Sequence, residues 1–545
     1  MNKTILIGLD GATFKVLDPL MDDGVMPFLK EFLADGVRGE LLSTPHPLTP
    51  PAWTTLMTGR NPGAHGIFDF LRAEIRPSGA FFTLNNFRDV QCETIWSIVG
   101  RAGGRSISLN FPLMAPPPSI PGSSIIPGLL SWRHLRRNIH PPSLYDELKA
   151  LPGFSAAELS WDFESEKKAL QHVPEEELEP WVRFHVAREH HWFTILKHLL
   201  TADPSWNLAA VIFDGVDKLQ HGCWRFLDRA FLPAQPSEFE LRMVELCREY
   251  FRVLDGFIRE IVALAGPEAQ VFIASDHGFG PTLRLFRVNA WLERNGYLKW
   301  PQGHTAREEN DRRAGTTSHY VLFDWASTTA YAQSAATNGI HIRLRREDGD
   351  GGVAPEAYEG FRARLIDQLL AVRDPVTNTP FFKAILKREE VFPGPHQDKG
   401  PDLTLVPFDH GFLSVLEGEP VLSVRSMVMG THWPEGVFMA GGPGISRGQD
   451  LERLSILDIA PTLLHSLGLE VPVDFEGRVI ERAFEPAYLR EHPVRVGRPT
   501  EPPRTYATTA KPGEGSDRSR EEAGDDASSE DAMVLDRLRV LGYVE

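Results

Sequence analysis

Cysteine is scarce. The 545 residues hold three, Cys92, Cys223 and Cys247. Their odd number and the lack of any CxxC spacing exclude a disulfide framework and a thiolate zinc site. Long apolar runs are missing too: no stretch reaches the ~18 consecutive apolar residues that cross a bilayer, so no membrane span is expected. The opening "MNKTILIGLDG" passes almost at once into a strand-like run. It has neither the long apolar centre nor the small-residue cleavage site of a signal peptide, which points to a reduced, cytoplasmic protein. Positive charge is in deficit, with 57 Lys and Arg against 74 Asp and Glu and a formal net charge of −17. Binding to duplex nucleic acid or an anionic membrane needs clustered cations and is not expected. The basic stretch "SWRHLRRNIH" reads as a solvated face.

What the chain does have is a repeated grammar. "TILIGLDGA", "RSISLNFP", "LAAVIFDGVD" and "AQVFIASDHGFG" are short apolar runs that end in Asp or Asn. "PDLTLVPF" and "GVFMAGGPG" read as two more strands, and "MPFLKEFLADG", "ETIWSIVGRAGG" and "LCREYFRVLDGFIREIVALAG" as helices. Strands alternating with helices predict an α/β fold with a mostly parallel central sheet flanked by helices. Ligands of such sheets bind beyond the carboxyl ends of the strands.

The pattern divides the chain into three pieces of one core, residues 1–111, 205–300 and 396–485. Two inserted cap regions, 112–204 and 301–395, interrupt it. Residues 486–530 are rich in Pro, Gly, Ser and charge and read as a disordered linker. Residues 531–545 regain an apolar helical stripe that would dock on the core.

Six acidic and imidazole residues fall at the strand ends or beside them. Asp10 ends the first run. Asp217 and His221, in "DGVDKLQHG", stand four apart, which puts both on one face of a helix. Asp276 and His277 end "AQVFIASDH", and His432 lies in "MGTHWPEG" just before another strand. Each alone has an ordinary reading as a turn, cap or surface pair. Together they make two N/O ligand sets of three at one sheet edge. That composition suits two divalent metal ions, zinc foremost and manganese less selectively. Two metals ~4 Å apart can clamp the attacking and leaving oxygens of a phosphoryl group.

A nucleophile is offered by "HPLTPPAWTTLMTGRNPGAHGIFDF". Pro50 and Pro51 stiffen the chain after Thr49, and "AWTTLMTG" reads as a helix start. A threonine held there would meet phosphate oxygens beside free backbone N–H groups, and a metal on its hydroxyl would lower the hydroxyl pKa. Thr49 or Thr54 could equally serve as an ordinary N-cap.

The ordered set "LDG…TPPAWTTLMTGRNPGAHGI…DKLQH…SDHGFG…GTHWPEG" resembles the type I phosphodiesterase and nucleotide pyrophosphatase family of the alkaline phosphatase superfamily over roughly residues 1–480. The resemblance implies an alkaline phosphatase-like core, a two-zinc site and a phospho-threonine intermediate on Thr49. It assigns Asp10, Thr49, Asp276 and His277 to one metal, and Asp217, His221 and His432 to the other. It implies a small-molecule phosphate ester or nucleotide as substrate.

One departure stands out. Nucleotide pyrophosphatases carry an Asn shortly after their HG motif to hold a phosphate oxygen, and Phe70 stands there in this chain. Asn110 is the candidate replacement, with Lys218 and Arg60 as weaker ones. A phosphomonoesterase or phosphomutase of the same superfamily is the alternative reading. A sulfatase is disfavoured, because Thr49-Pro50-Pro51-Ala52-Trp53 lacks the Cys or Ser and the Arg of the sulfatase motif. A non-catalytic binding protein is disfavoured because unused buried carboxylates are costly.

Overall fold

The computed structural model describes residues 1–76, 79–130, 132–159, 175–300, 323–345, 351–415 and 418–502. In chain order the elements that build the site are strands β1 (Thr4–Leu9) and β2 (Val37–Leu42), helix α1 (Thr49–Thr58), and strands β3 (Ser106–Leu109) and β4 (Ser123–Ile126). Helix α2 (Glu175–Ala202), strand β5 (Leu208–Phe213) and helices α3 (Gly215–Leu227) and α4 (Glu238–Ala265) follow. Strands β6 (Gln270–Ala274), β7 (Gly278–Phe286), β8 (Leu422–Trp433) and β9 (Glu435–Gly441) complete the set.

The central sheet has nine strands, running β2-β9-β6-β1-β5-β3-β4, with Gln449–Asp450 and Leu454–Ser455 as short pieces against β2. β6, β1, β5, β3 and β4 are mutually parallel, whereas β9 runs antiparallel to both β6 and β2. Alternation along the strands explains the layers. Ile5, Ile7, Leu9, Ala209, Val211 and Phe213 face one core cluster, covered by α2 and α4. Leu6, Leu208, Ala210 and Ile212 face the opposite cluster, covered by α1, Ile95–Arg101 and Ile459–Ser466. Strands buried on both faces read as unbroken apolar runs, which is how these appear in the sequence.

Two strands read from sequence lie outside this sheet or change its direction. "PDLTLVPF" forms Leu403–Pro407 in a separate four-stranded sheet, antiparallel to Phe382–Lys387 and Gly339–Ile342. Its own core holds Leu403, Leu405, Leu365 and Phe382. "GVFMAGG" forms β9, the antiparallel member of the central sheet.

The segment 112–204 supplies the edge strand β4 and the 28-residue α2. Residues 486–502, where composition suggests the start of a disordered linker, hold a helix at Pro486–Glu491 and a strand at Val496–Gly497 that pairs with Val471–Pro472. Thr500 is tied to Asp474 by its N–H and hydroxyl, at 2.8 and 2.6 Å, so polar composition here accompanies specific hydrogen bonds. The expected helix at 531–545 and most of the expected linker lie outside the described residues. Among the described residues, no helix is long and apolar enough to cross a membrane, and the three cysteines are free.

Candidate active site

The carboxyl ends of β1, β5 and β6 converge on one edge. β1 stops at Leu9, and Asp10-Gly11 turns sharply with Gly11 at φ 68°, a left-handed conformation that suits glycine. β6 leads through Ser275 to Asp276 and His277, after which β7 begins. β5 leads through Asp214 into α3, whose first turns carry Asp217 and His221. His432 sits near the end of β8, opposite Phe279 of β7, and so lies inside a strand rather than in a loop.

These side chains meet. His277 Nε2 lies 3.2 Å from Asp276 Oδ2, 3.6 Å from Asp10 Oδ1 and 3.4 Å from Thr49 Oγ1. His432 Nε2 lies 3.0 Å from Asp217 Oδ1 and 3.1 Å from His221 Nε2. His221 Nε2 is 3.5 Å from Asp217 Oδ1, and the rings of His277 and His432 stack with centroids 3.7 Å apart. Asp10, Asp276 and His277 form one triad, and Asp217, His277 and His432 another; within each, ligand atoms lie within 4.8 Å of one another. His277 thus belongs by distance to both sets, though the family resemblance assigns it to the first.

The outer contacts orient the inner ones. Nδ1 of His221, His277 and His432 faces the carbonyls of Gly430, Gly278 and Pro47 at 3.3, 3.1 and 3.0 Å. That network places the ring proton on Nδ1 and leaves Nε2 as a lone pair pointing inward. Two such lone pairs 3.1 Å apart, those of His221 and His432, repel unless a cation lies between them. Asp10 Oδ1, Asp217 Oδ1 and Asp276 Oδ2 are buried without a hydrogen-bond partner. Buried anionic oxygens of this kind call for a positive charge. The donor set, three carboxylates and three imidazoles, therefore fits a divalent cation pair with N/O preference.

The electrostatics agree. Burial and then the charges of Asp276 and Asp217 hold Asp10 well above the usual carboxylate range. Burial also raises Asp276, although the Gly11 N–H donates to it at 3.1 Å. Burial works on Asp217 in the same sense, but the ammonium of Lys218 beside it overcomes it and holds that group well below the usual range. Burial depresses His221 to about 3 and pushes His277 well below its ordinary value, so both are neutral near pH 7.

Thr49 is the first residue of α1, after Leu48 as its N-cap. The other threonines of this helix have their hydroxyls engaged. Thr54 and Thr58 donate to the carbonyls of Pro50 and Thr54, both at 2.7 Å, and Thr55 pairs with His65 Nε2 at 3.0 Å. Thr49 faces the cluster. The array of free amides expected at this helix start is mostly absent. Pro50 and Pro51 have no N–H and the Ala52 N–H is bound to Leu48 O at 3.0 Å, so the first turn offers the amide of Thr49 alone.

Asn110 is not brought to the cluster by any contact among the described residues. It ends β3 in the left-handed region at φ 64°, and its amide nitrogen donates to Ile212 O at 2.9 Å and Asp214 Oδ1 at 3.2 Å. Both of its N–H bonds are therefore spent on holding β3 to β5, leaving none for a phosphate oxygen. Lys218 pairs with Asp217 Oδ2 at 3.1 Å, and Arg60 pairs with Asp474 and Glu476 at 2.7 and 3.1 Å. Phe70 is buried in the second core beside Leu48.

One residue at the site escapes the sequence reading. Trp53 Nε1 donates to Asp10 Oδ2 at 3.1 Å. Its signal was its place one helical turn after Thr49, together with the need of a buried indole N–H for an acceptor.

A mostly parallel α/β sheet thus gathers acids and imidazoles at its carboxyl edge, with the Thr49 hydroxyl among them. The type I phosphodiesterase / nucleotide pyrophosphatase family matches residues 4–436, and the chain belongs to that family. Its fold is similar to that of phosphonoacetate hydrolase from Sinorhizobium meliloti 1021 in complex with phosphonoformate. That match has TM-score 0.52 and 16% identity, and covers 86% of this chain and 95% of the other. It is also similar to an inactive threonine-to-alanine form of murine ectonucleotide pyrophosphatase / phosphodiesterase 5 in complex with AMP, with TM-score 0.51 and 14% identity, covering 89% of this chain and 100% of that one. Among curated proteins none matches the sequence significantly.

Proposed function

We propose that this protein hydrolyses a small phosphoric ester by way of a phosphothreonine on Thr49, with two divalent cations, zinc foremost and manganese as the alternative. Asp10, Asp276, His277 and Thr49 would hold one cation, and Asp217, His221 and His432 the other. The observation that carries the reading is the set of three orphaned carboxylate oxygens beside inward-facing imidazole nitrogens, with Thr49 Oγ1 3.4 Å from one of them. Bound cations supply Lewis acidity, lowering the hydroxyl pKa and offsetting charge on the phosphoryl oxygens.

The chain does the rest. Pro50 and Pro51 fix the backbone behind Thr49, so its hydroxyl is oriented before substrate arrives. Thr49 Oγ forms a bond to phosphorus as the ester oxygen leaves, and water then cleaves the threonine–phosphorus bond to restore the hydroxyl. The carbonyls of Pro47, Gly278 and Gly430 keep the three imidazoles in one tautomer throughout. The murine protein is inactive in its threonine-to-alanine form and is in complex with AMP, and the bacterial one is in complex with phosphonoformate. Both support an anionic phosphorus-centred substrate.

A second reading is a phosphomonoesterase or phosphomutase. It is favoured by Phe70 in place of an amide donor, and by Asn110 having no N–H to spare. Thr49→Ala tests the first claim. It is expected to retain bound metal and lose turnover of p-nitrophenyl phosphate esters, and unchanged turnover rejects the nucleophile. Comparing the monoester with a diester of the same leaving group separates the two readings.

A further inference from the structure

Two consecutive residues of α2, neither a cation ligand, grip the start of α3. Arg188 Nη1 donates to both oxygens of Asp214, each at 2.7 Å. Glu189 Oε1 accepts the Gly215 N–H at 2.6 Å and the Tyr250 hydroxyl at 3.2 Å. Asp214 is the N-cap of α3, yet its side chain accepts no N–H from its own helix. It is turned instead to Arg188 and to Asn110 Nδ2 at 3.2 Å. The helix is therefore capped from outside, by Glu189. Gly215 makes room for this, since a Cβ there would sit 2.6 Å from both Glu189 Oε1 and Tyr250 Oη.

A buried ion pair is a poor device for stability alone, because apolar replacements of similar volume are often neutral or better. Here the polar contacts from α2 and the end of β3 meet on two adjacent residues, and Tyr250 of α4 braces Glu189 behind them. Asp214, Asp217 and His221 are spaced i, i+3, i+7 and share one face of α3. A rotation or slide at Asp214 is carried directly to Asp217 and His221.

We propose that Arg188 and Glu189 are positioning residues for the Asp217–His221–His432 cation set: they fix the rotation and depth of α3 so that its two ligands meet His432. The assignment rests on the two-cation reading above. The test uses the full chain, stripped and titrated with zinc alone against a chromophoric chelator, with melting followed in parallel. Wild type is expected to bind two zinc ions. Glu189→Ala is expected to hold one as wild type does and to bind the other about 10- to 100-fold more weakly, the range seen when a partner behind a ligand is lost. Glu189→Gln, whose amide oxygen can still accept from Gly215 and Tyr250, is expected within about threefold of wild type.

Glu189→Ala binding both ions as wild type does, even with lowered melting, overturns the assignment, and so does equal weakening of both ions. Should Glu189→Ala fail to fold, Arg188→Lys, which keeps the charge in a different geometry, is read by the same outcomes. A wild-type protein that takes up no zinc overturns the two-cation reading itself. Two zinc ions in wild type with no selective loss in the variants overturns this assignment alone.

Discussion

Trp53→Phe probes the cation site without touching a ligand. Trp53 is fully buried, its indole N–H is 3.1 Å from Asp10 Oδ2, and its ring lies edge-on to Phe111 at 5.6 Å. Phenylalanine keeps most of the apolar contact but deletes the donor. The smaller ring leaves roughly 40 Å³, which costs about 1 kcal/mol at ~24 cal/mol per Å³. Losing a hydrogen bond to a carboxylate costs about 1.5–3 kcal/mol more. The expected loss of stability is therefore roughly 2.5–4 kcal/mol by these two contributions. Part of it should appear in metal binding, because Asp10 loses the contact that fixes its other oxygen toward His277; a weakening of about 10- to 100-fold is expected. Denaturant titration of zinc-loaded and chelated protein, with zinc competition, measures both. The zinc-loaded form should lose more stability than the chelated form. Equal loss in the two forms, with zinc affinity within about threefold of wild type, refutes the coupling of Trp53 to the cation site.

Three further outcomes follow. Burial pushes Asp69 up to about 7 despite hydrogen bonds from Ser334 and the N–H groups of Phe70 and Leu71. Its folded pKa lies above the unfolded value, so the native state keeps a proton that the unfolded chain releases, and stability falls as pH rises from about 4 to about 7. Asp69→Asn should thus be more stable than wild type at pH 8 by up to roughly 4 kcal/mol of unfolding free energy, with the gap closing toward pH 4, and a pH-independent gap contradicts this. A Cβ at Gly8 would sit 2.6 Å from Trp53 Cη2 and 2.8 Å from Ile212 Cγ1, so Gly8→Ala should cost about 1–3 kcal/mol in thermal unfolding, and unchanged melting refutes the packing argument. Chelation should lower the melting temperature and zinc or manganese should restore it, with about 4 kcal/mol of added stability at a thousandfold excess over Kd, whereas melting indifferent to chelator excludes a bound cation.

Legibility in the sequence followed burial. β1, β5 and β6 are covered on both faces and appear as continuous apolar runs, so their ends, and with them Asp10, Asp217 and Asp276, could be located by reading alone. β8 resisted. Among the described residues it pairs only with β7, its burial is mostly intermediate, and "LSVRSMVMGTHW" shows no clean alternation, so His432 read as a loop residue. Asn110 misled for a related reason. A polar residue at a strand end is as well suited to tying two strands together as to facing substrate, and the left-handed backbone there favours asparagine for conformation alone. The grip of Arg188 and Glu189 on α3 could not be read, because each depends on a partner 26 residues away in sequence.

The two prolines after Thr49 gain a narrower meaning from the structure. At a helix start they satisfy the fixed φ of the first turn and remove amides that would otherwise lack intrahelical partners. They also remove the donors with which a helix N-terminus usually holds an anion. The arrangement therefore favours aiming one side chain over surrounding a phosphate with backbone N–H groups. With Phe70 buried among apolar neighbours and the Asn110 amide committed to β5, this edge of the sheet gives a phosphoryl oxygen, among the described residues, little beyond the Thr49 amide and the helix dipole. On the proposed two-cation reading, charge on that oxygen is met by the ions those carboxylates and imidazoles would hold. That is why binding of the substrate, and not turnover alone, should depend on the divalent cations.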